Sequence, residues 1–379
     1  MNILTAYAWF KPTGMGSRMH RTMELLAEYG HDVDWVGVSP PPIKSRQLHF
    51  HRLFEWHDSP NHRKLYFWFR YHAAAINACN RLSRSKPYAG FVSFTVSAAF
   101  PLIRAVKRSD KPFIVFIRSN EMVENRIKGV TAPLQWLVNK ASKKVIEAAS
   151  TLVFVNQTLL DRYCEAYGPH IRKRSLVLYN DLPEVPLAAS SHTSIPEVKK
   201  APLAVVCGRL DKNKNIALVL RAMTGDIANA WHLLIVGDGP ERSGLEELVQ
   251  SLNLAERVKF AGWSNDAPGL TAQADCFILP SYSEGVSNAL LEALACKKPC
   301  LVSDIPEHRE LFPDGENLFN PDQPETLSRM LAALFSDDPL ADRIRAACRE
   351  AELLFPTDWD SEAYRIITTA MNCTESHGI

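Results

Sequence analysis

The chain has 379 residues and a mass of 42.5 kDa, a length for two domains rather than one. With 46% hydrophobic and 22% charged residues it can bury a sizeable core, which excludes a disordered or low-complexity chain. Its eight cysteines form no CxxC pair; that pattern argues against a disulfide scaffold or a zinc site and suits a reducing cytosol.

The start, MNILTAYAWF, has no basic run before its apolar residues and no small-residue cleavage site, so no signal peptide is predicted. Charged residues or His interrupt every apolar run short of the roughly 18 residues that a membrane crossing needs. No transmembrane helix is expected, and contact with one membrane face stays open. Net charge is +1, but its distribution is uneven. Residues 1–195 hold 26 Lys and Arg against 14 Asp and Glu, whereas the remainder holds 17 against 28. A basic half is joined to an acidic one.

Residues 2–8 read as a strand leading into the loop KPTGMGSR, and Ser17 to Tyr29 as a helix, with Met19, Met23, Leu26 and Ala27 at helical spacing. Gly30 suits its C-terminal end. DVDWVGV (32–38), GFVSF (90–94), PFIVFI (112–117), STLVFV (150–155) and SLVLY (175–179) are further strands, separated by helix-length segments. That alternation predicts an α/β fold with a parallel sheet covered on both faces. Between them, residues 44–72 crowd Lys44, Arg46, Arg52, Arg63, Lys64 and Arg70 among large aromatics such as Phe54, Trp56 and Trp68. Three readings fit: aromatics in the core with cations in solvent, an anionic membrane or lipid-acceptor surface, or single-stranded nucleic acid. Of the last two the membrane surface is favoured, through Arg63, Lys64, Trp68 and Arg70, and no nucleic acid partner is expected.

Residues 180–202 carry four prolines and no sustained period, the composition of a linker. The α/β alternation then restarts at APLAVVCGR and runs through WHLLIVG, RVKFAG, CFILP and CLVSD, with helices between. The predicted organisation is a first domain over 1–181, a linker over 182–202, a second domain over 203–355, and a segment 356–379 whose helix (358–371) could cross back to the first domain, a placement that the pattern alone leaves open.

The strongest chemical signal is SEGVSNALLEALACKKPCLVSD (283–304). Glu284 ends a loop after a strand, and a helix starts near Ser287 or Asn288. The unpaired first-turn amides of such a helix can receive an oxyanion or a sugar hydroxyl. Glu292 shares a helix face with Asn288, four residues earlier, so two acids can meet two parts of one polyol ligand. Glu292 as an ordinary wet-face residue and Glu284 as an ordinary loop acid are the plainer alternatives. In GRLDKNKN (208–215), Arg209 follows a strand directly and Lys214 lies five residues on. Cations at a strand's carboxyl end suit a diphosphate; Lys212 competes for that role, and surface salt bridging is the alternative. GDGPE (237–241) supplies a tight turn at Gly237. Gly14 and Gly16 follow the first strand without the third glycine of a dinucleotide fingerprint. RSNEM (118–122) places Arg118, Asn120 and Glu121 just past a strand. No His, Cys and Asp cluster has metal-ligand spacing.

Taken together, GRLDKNKN, IVGDGPE, VKFAGW, DCFILPSYSEGVSNALLEALACKKPCLVSD, PEHREL and GENLF, with ILTAYAWFKPTGMGSRMHRTMELLAEYGHDV in the first half, resemble the retaining glycosyltransferases of family 4 with GT-B architecture. Glu284 and Glu292 match that family's E-x7-E element. The resemblance implies two facing Rossmann-like domains with parallel sheets, closing over a nucleotide-diphosphate sugar bound by the second domain. It implies no cofactor and no catalytic metal. Arg209 and Lys214 would hold the diphosphate, Glu284 the transferred sugar and Glu292 the ribose. The amides of Gly285, Val286, Ser287 and Asn288 would support sugar or phosphate, and Gly16 would approach the donor from the first domain.

Two departures stand out. Arg118 occupies the place where many members carry a histidine that meets the donor sugar, and Asn180-Asp181-Leu182-Pro183 replaces the usual Asn-Gly-Val-Asp. The resemblance implies sugar transfer to a saccharide or lipid-linked saccharide, as in bacterial lipopolysaccharide or capsule assembly, by a cytoplasmic protein working near the inner membrane face. A nucleotide-sugar epimerase, a sugar phosphorylase and a non-catalytic nucleotide-sugar binder are the rival functions for this architecture.

Overall fold

The computed structural model describes residues 1–9, 15–56, 65–118, 132–183, 201–224, 230–336 and 338–372. Gly14, Arg63, Lys64, Asn120, Glu121 and most of the predicted linker lie outside them. The chain forms two compact units, one of Met1–Tyr179 with Asp358–Ile379 and one of Asn180–Thr357.

The first unit runs β1 (Asn2–Ala6), α1 (Met15–Glu28), β2 (Asp32–Gly37), β3 (Leu48–Arg52), α2 (Leu65–Ser85), β4 (Gly90–Ser93), α3 (Val96–Ala99), α4 (Ile103–Ser109), β5 (Phe113–Ile117), α5 (Ala132–Ala148), β6 (Thr151–Phe154), α6 (Gln157–Tyr167) and β7 (Ser175–Val177). All seven strands are parallel, in the order β3-β2-β1-β4-β5-β6-β7. Strands β4 and β5 are buried at every residue, as central strands covered on both faces must be, which is why they read as unbroken apolar runs. Helix α1 ends as its sequence predicts. Gly30 adopts φ +82°, its N–H bonds to Ala27 O at 3.0 Å, and His31 N–H reaches back to Leu26 O at 3.1 Å, a paired closure that favours glycine.

The stretch 44–72 is not one surface. It divides into the edge strand β3 and the start of α2. In β3 only Leu48 is buried, Phe50 meets Trp35 edge-on at 6.5 Å, and His49 and Arg52 are exposed. An edge strand buried on one side lacks the continuous apolar run that marks its neighbours.

The second unit runs β8 (Leu203–Cys207), α7 (Ile216–Ala222), β9 (His232–Val236), α8 (Arg242–Ser251), β10 (Val258–Gly262), α9 (Ala267–Gln273), β11 (Cys276–Leu279), α10 (Asn288–Ala295), β12 (Cys300–Ser303), α11 (Pro306–Arg309), β13 (Leu318–Phe319), α12 (Pro324–Phe335) and α13 (Pro339–Glu352). Its six parallel strands lie in the order β10-β9-β8-β11-β12-β13. Val206, Ile235, Ile278 and Leu301 pack with Val219, Leu245 and Leu331 in its core. The buried Trp231 satisfies its indole by donating to Leu331 O at 2.9 Å.

The last helix, α14 (Trp359–Asn372), belongs to the first unit. Trp359, Ala363, Ile367 and Met371 recur every four residues and are all buried, in one cluster with Met19, Met23, Phe94 and Phe116. Arg21 Nε pairs with Asp360 Oδ2 at 2.7 Å. Burying a side chain of this size contributes on the order of 3 kcal/mol, so α14 is an integral layer of that unit.

In each sheet the order in which successive strands are added reverses once, at β1/β4 and at β8/β11, while every strand stays parallel. In open α/β sheets, ligands bind outside the carboxyl ends of the strands at such switch points.

Candidate functional site

At the second switch point, β8 runs out into Gly208-Arg209-Leu210 and β11 into the loop 280–287. Asp211 accepts from Lys214 N–H at 3.3 Å and caps a single 3-10 turn, Lys212–Lys214, after which Asn215 takes a left-handed conformation at φ +47°. Two bonds join this turn to the loop beside it. Asn213 Nδ2 donates to Ser283 O at 2.8 Å, and Tyr282 N donates to Asn213 O at 2.9 Å. They bring Lys214 Nζ to 2.5 Å from Glu284 Oε1, with side chains only 19% and 12% exposed. A charge-assisted contact that short and that shielded is costly to break from one side, because the remaining charge is left shielded without its partner.

Arg209 stands apart. Its side chain is 70% exposed, with Nε 3.8 Å from Asp211 Oδ2. The structure thus joins Lys214 to Glu284 but leaves Arg209 at the rim. Gly237 braces the turn from behind. Its φ is +137°, its N–H donates to Gly262 O at 2.7 Å, and a Cβ on it would collide with the Gly208 carbonyl. Leu210 N also bonds to Asp238 O at 3.0 Å, so the GDG turn fixes the backbone that carries Arg209.

Gly285 and Val286 are half-buried, Ser287 is buried, and Asn288 is exposed as the first residue of α10. Ser287 makes no side-chain capping bond, which leaves the first-turn amides without a local acceptor. Glu292 lies one turn along, and burial raises its pKa. Beside it, burial pushes the Cys207 thiol up to about 12, with Thr271 opposing and the Glu292 charge adding to the shift.

His308 was not singled out from the sequence, although it sits in PEHREL. It is 2% exposed, and its Nδ1 lies 2.7 Å from Ser303 O. Because a carbonyl only accepts, Nδ1 carries the proton. Ser303 Oγ in turn donates to Ser281 O at 2.5 Å, so His308 supports the base of the Glu284 loop. Burial lowers its pKa, and the nearby Glu284 charge opposes that shift. Only its place in PEHREL, just past the carboxyl end of β12, could have flagged it.

In the first unit, Arg118 follows β5 and lies over the Trp359 ring, 5.5 Å from its centre. Gly16 is buried in the first turn of α1, after β1. Trp68 is half-buried against Phe67 and Tyr71, while Arg70 is exposed with its guanidinium 4.3 Å from the Phe54 centroid. Among the described residues no His, Cys, Asp and Glu group could hold a metal ion, and no helix is long and apolar enough to cross a membrane.

Residues 189–351 match the family described as Glycosyl transferases group 1. A Campylobacter jejuni protein, N-acetylgalactosamine-N,N'-diacetylbacillosaminyl-diphospho-undecaprenol 4-alpha-N-acetylgalactosaminyltransferase, is 33% identical over 44% of this chain and 46% of its own length. An Escherichia coli O-antigen biosynthesis glycosyltransferase, WclY, is 34% identical over 33% of this chain and 35% of its own length. These matches span less than half of either relative. The structure of sucrose-phosphate synthase from Thermosynechococcus elongatus superposes with a TM-score of 0.77 over 99% of both chains, at 18% identity. The chain therefore has the GT-B fold, and its second unit carries the sequence pattern of the group 1 glycosyl transferases.

Proposed function

We propose that the protein is a retaining, metal-independent glycosyltransferase of family 4 that moves a sugar from a nucleoside-diphosphate donor to a saccharide or lipid-linked saccharide. The observation that carries this reading is the Lys214–Glu284 pair at the switch point of the second sheet. An ammonium has three donors; with one on Glu284, two are left for the donor's diphosphate. Lys214, the rim cation Arg209 and the first-turn amides of α10 then stabilise negative charge as the sugar–phosphate bond breaks. Glu284 accepts from sugar hydroxyls and Glu292 from the ribose. The acceptor hydroxyl attacks the anomeric carbon on the face the diphosphate leaves, and a donor phosphate oxygen takes its proton. These cationic groups supply the charge that a divalent ion would otherwise bring.

Arg118 and Gly16, at the carboxyl edge of the first sheet, are the first unit's contributions to substrate binding in this reading. The acceptor is assigned to that basic unit, and work at the inner face of the cell membrane in surface-polysaccharide assembly follows. The C. jejuni relative, named for a diphospho-undecaprenol substrate, supports the lipid-linked choice.

The test is binding and transfer with UDP-, GDP- and ADP-sugars, with and without a membrane lipid extract and with a chelator present. Transfer with retained anomeric configuration is expected. Absence of binding to all three donor classes overturns the proposal, whereas turnover without any acceptor, or with free phosphate, favours an epimerase or a phosphorylase.

A further inference from the structure

The geometry points to a second ligand site in the first unit: a groove between α2 and α4 that binds the phosphate headgroups of anionic membrane lipid. The cavity has a volume of ≈ 390 Å³ and is lined by Asn77, Asn80, Arg81, Arg84, Ser85 and Arg104. All six lining residues carry polar or charged side chains, and three of them are arginines. Arg81, Arg84 and Arg104 have no carboxylate partner among the described residues. Arg108, four residues beyond Arg104, donates to Asn80 Oδ1 at 2.8 Å and to Ser83 Oγ at 3.3 Å. Those bonds tie α4 to α2 and leave the Asn80 amide N–H groups as donors. Guanidinium forks and amide donors around a cavity match phosphate oxygens.

The surroundings select a lipid over a soluble phosphate. Helices α2 and α5 both touch α4. Each of the three carries three Lys or Arg, and Glu147 is their one acidic residue. The exposed residues of α2 include Tyr66, Phe69, Arg70, Asn77, Arg81 and Arg84, a single solvent-facing stripe with aromatics at one end and arginines at the other. On α5, Trp136 and Leu137 are 63% and 49% exposed, and Lys140 lies over the Trp136 ring. A bilayer is the one partner that offers many phosphates together with apolar depth for exposed aromatics. The inference rests on the membrane part of the proposed function, but not on its donor chemistry.

The experiment is co-sedimentation of the full chain with phosphatidylglycerol–phosphatidylcholine vesicles and with phosphatidylcholine alone. The combined Arg81→Ala, Arg84→Ala, Arg104→Ala variant should lose roughly hundredfold in partitioning to the anionic vesicles, with UDP binding unchanged. The single variant Arg84→Glu, at an exposed position, repeats the test should the triple variant fold poorly. Wild-type partitioning in both variants overturns the proposal. So does wild-type binding of inorganic pyrophosphate or single-stranded oligonucleotide at the groove without vesicle binding. Vesicle binding without UDP binding would sink the transferase reading and leave the groove standing.

Discussion

Lys214 and Glu284, seventy positions apart, meet at 2.5 Å because Asn213 bonds on both sides to the loop that ends in Glu284. Their proposed roles differ, so their variants separate. Lys214→Ala removes a diphosphate contact and should weaken binding of UDP itself by roughly tenfold or more, since a charged hydrogen bond contributes about 1.5–3 kcal/mol. Glu284→Gln should leave UDP binding within about twofold while UDP-sugar transfer falls by roughly a hundredfold. Titration calorimetry with UDP, alongside single-turnover transfer, reads both. Equal UDP affinity in Lys214→Ala and the wild type would remove the lysine from the donor site.

Much of this was legible beforehand for a physical reason. Buried central strands such as β5 and β11 are unbroken apolar runs, and each chemical motif followed a strand, so the segments that carry Lys214, Glu284 and Glu292 could be placed by chain order, although Lys212 competed with Lys214. What stayed hidden depends on contacts between segments distant in sequence. Strand β3 is half-exposed and looked like part of a basic surface. Lys214 and Arg209 looked equivalent as cations, yet only a tertiary bond pair decides which of them reaches Glu284. His308 carries little local signal beyond its place in PEHREL after a strand, because its role comes from Ser303 at the end of β12 and Ser281 just past β11.

Gly237 tests the brace behind the site. Any side chain there meets the Gly208 carbonyl, and φ +137° is already closed to L-residues. Gly237→Ala should destabilise the second unit by about 2 kcal/mol or more and weaken UDP binding by displacing the Arg209 backbone. Thermal melts with and without UDP measure both effects. An unchanged melting temperature would mean that the turn yields freely and is no brace.

In the first unit, Asp34 is the acceptor for three donors: His51 Nε2 at 2.6 Å, Lys86 Nζ at 2.6 Å and Tyr88 OH at 2.8 Å. Burial alone would raise its pKa, but those hydrogen bonds hold it down to about 2, below the usual 3.8. The unfolded state therefore takes up the proton first as pH falls. The stabilisation, about 2 kcal/mol, is complete above pH 4 and is lost between about 4 and 2. Asp34→Asn should lower stability at pH 7 and flatten the acid slope across that window. Urea titrations at several pH values decide it: an identical slope in the variant would show that other carboxylates set acid stability.

His308 gives the opposite pH range in the second unit. Its pKa is lowered from 6.5, first by burial, with Lys214 also lowering it and the Ser303 carbonyl, Glu284 and Asp304 raising it. The folded imidazole stays neutral while the unfolded one protonates, so stability is complete above about pH 6.5 and falls as pH drops below it, with a limiting slope of about 1.4 kcal/mol per pH unit. His232, also in this unit and also lowered by burial, adds a parallel slope, so the difference between wild type and His308→Asn is the measured quantity. The variant should be less stable at pH 8, because the Ser303 bond is disturbed, and the gap should narrow toward pH 5 as the wild type alone incurs the protonation penalty. Ser303 also anchors the separate loop that carries Glu284, through Ser281 O, so UDP-sugar affinity should track that narrowing. A gap constant from pH 8 to pH 5 would mean that His308 accepts its proton within the fold, and that its burial does not govern the acid response of the site.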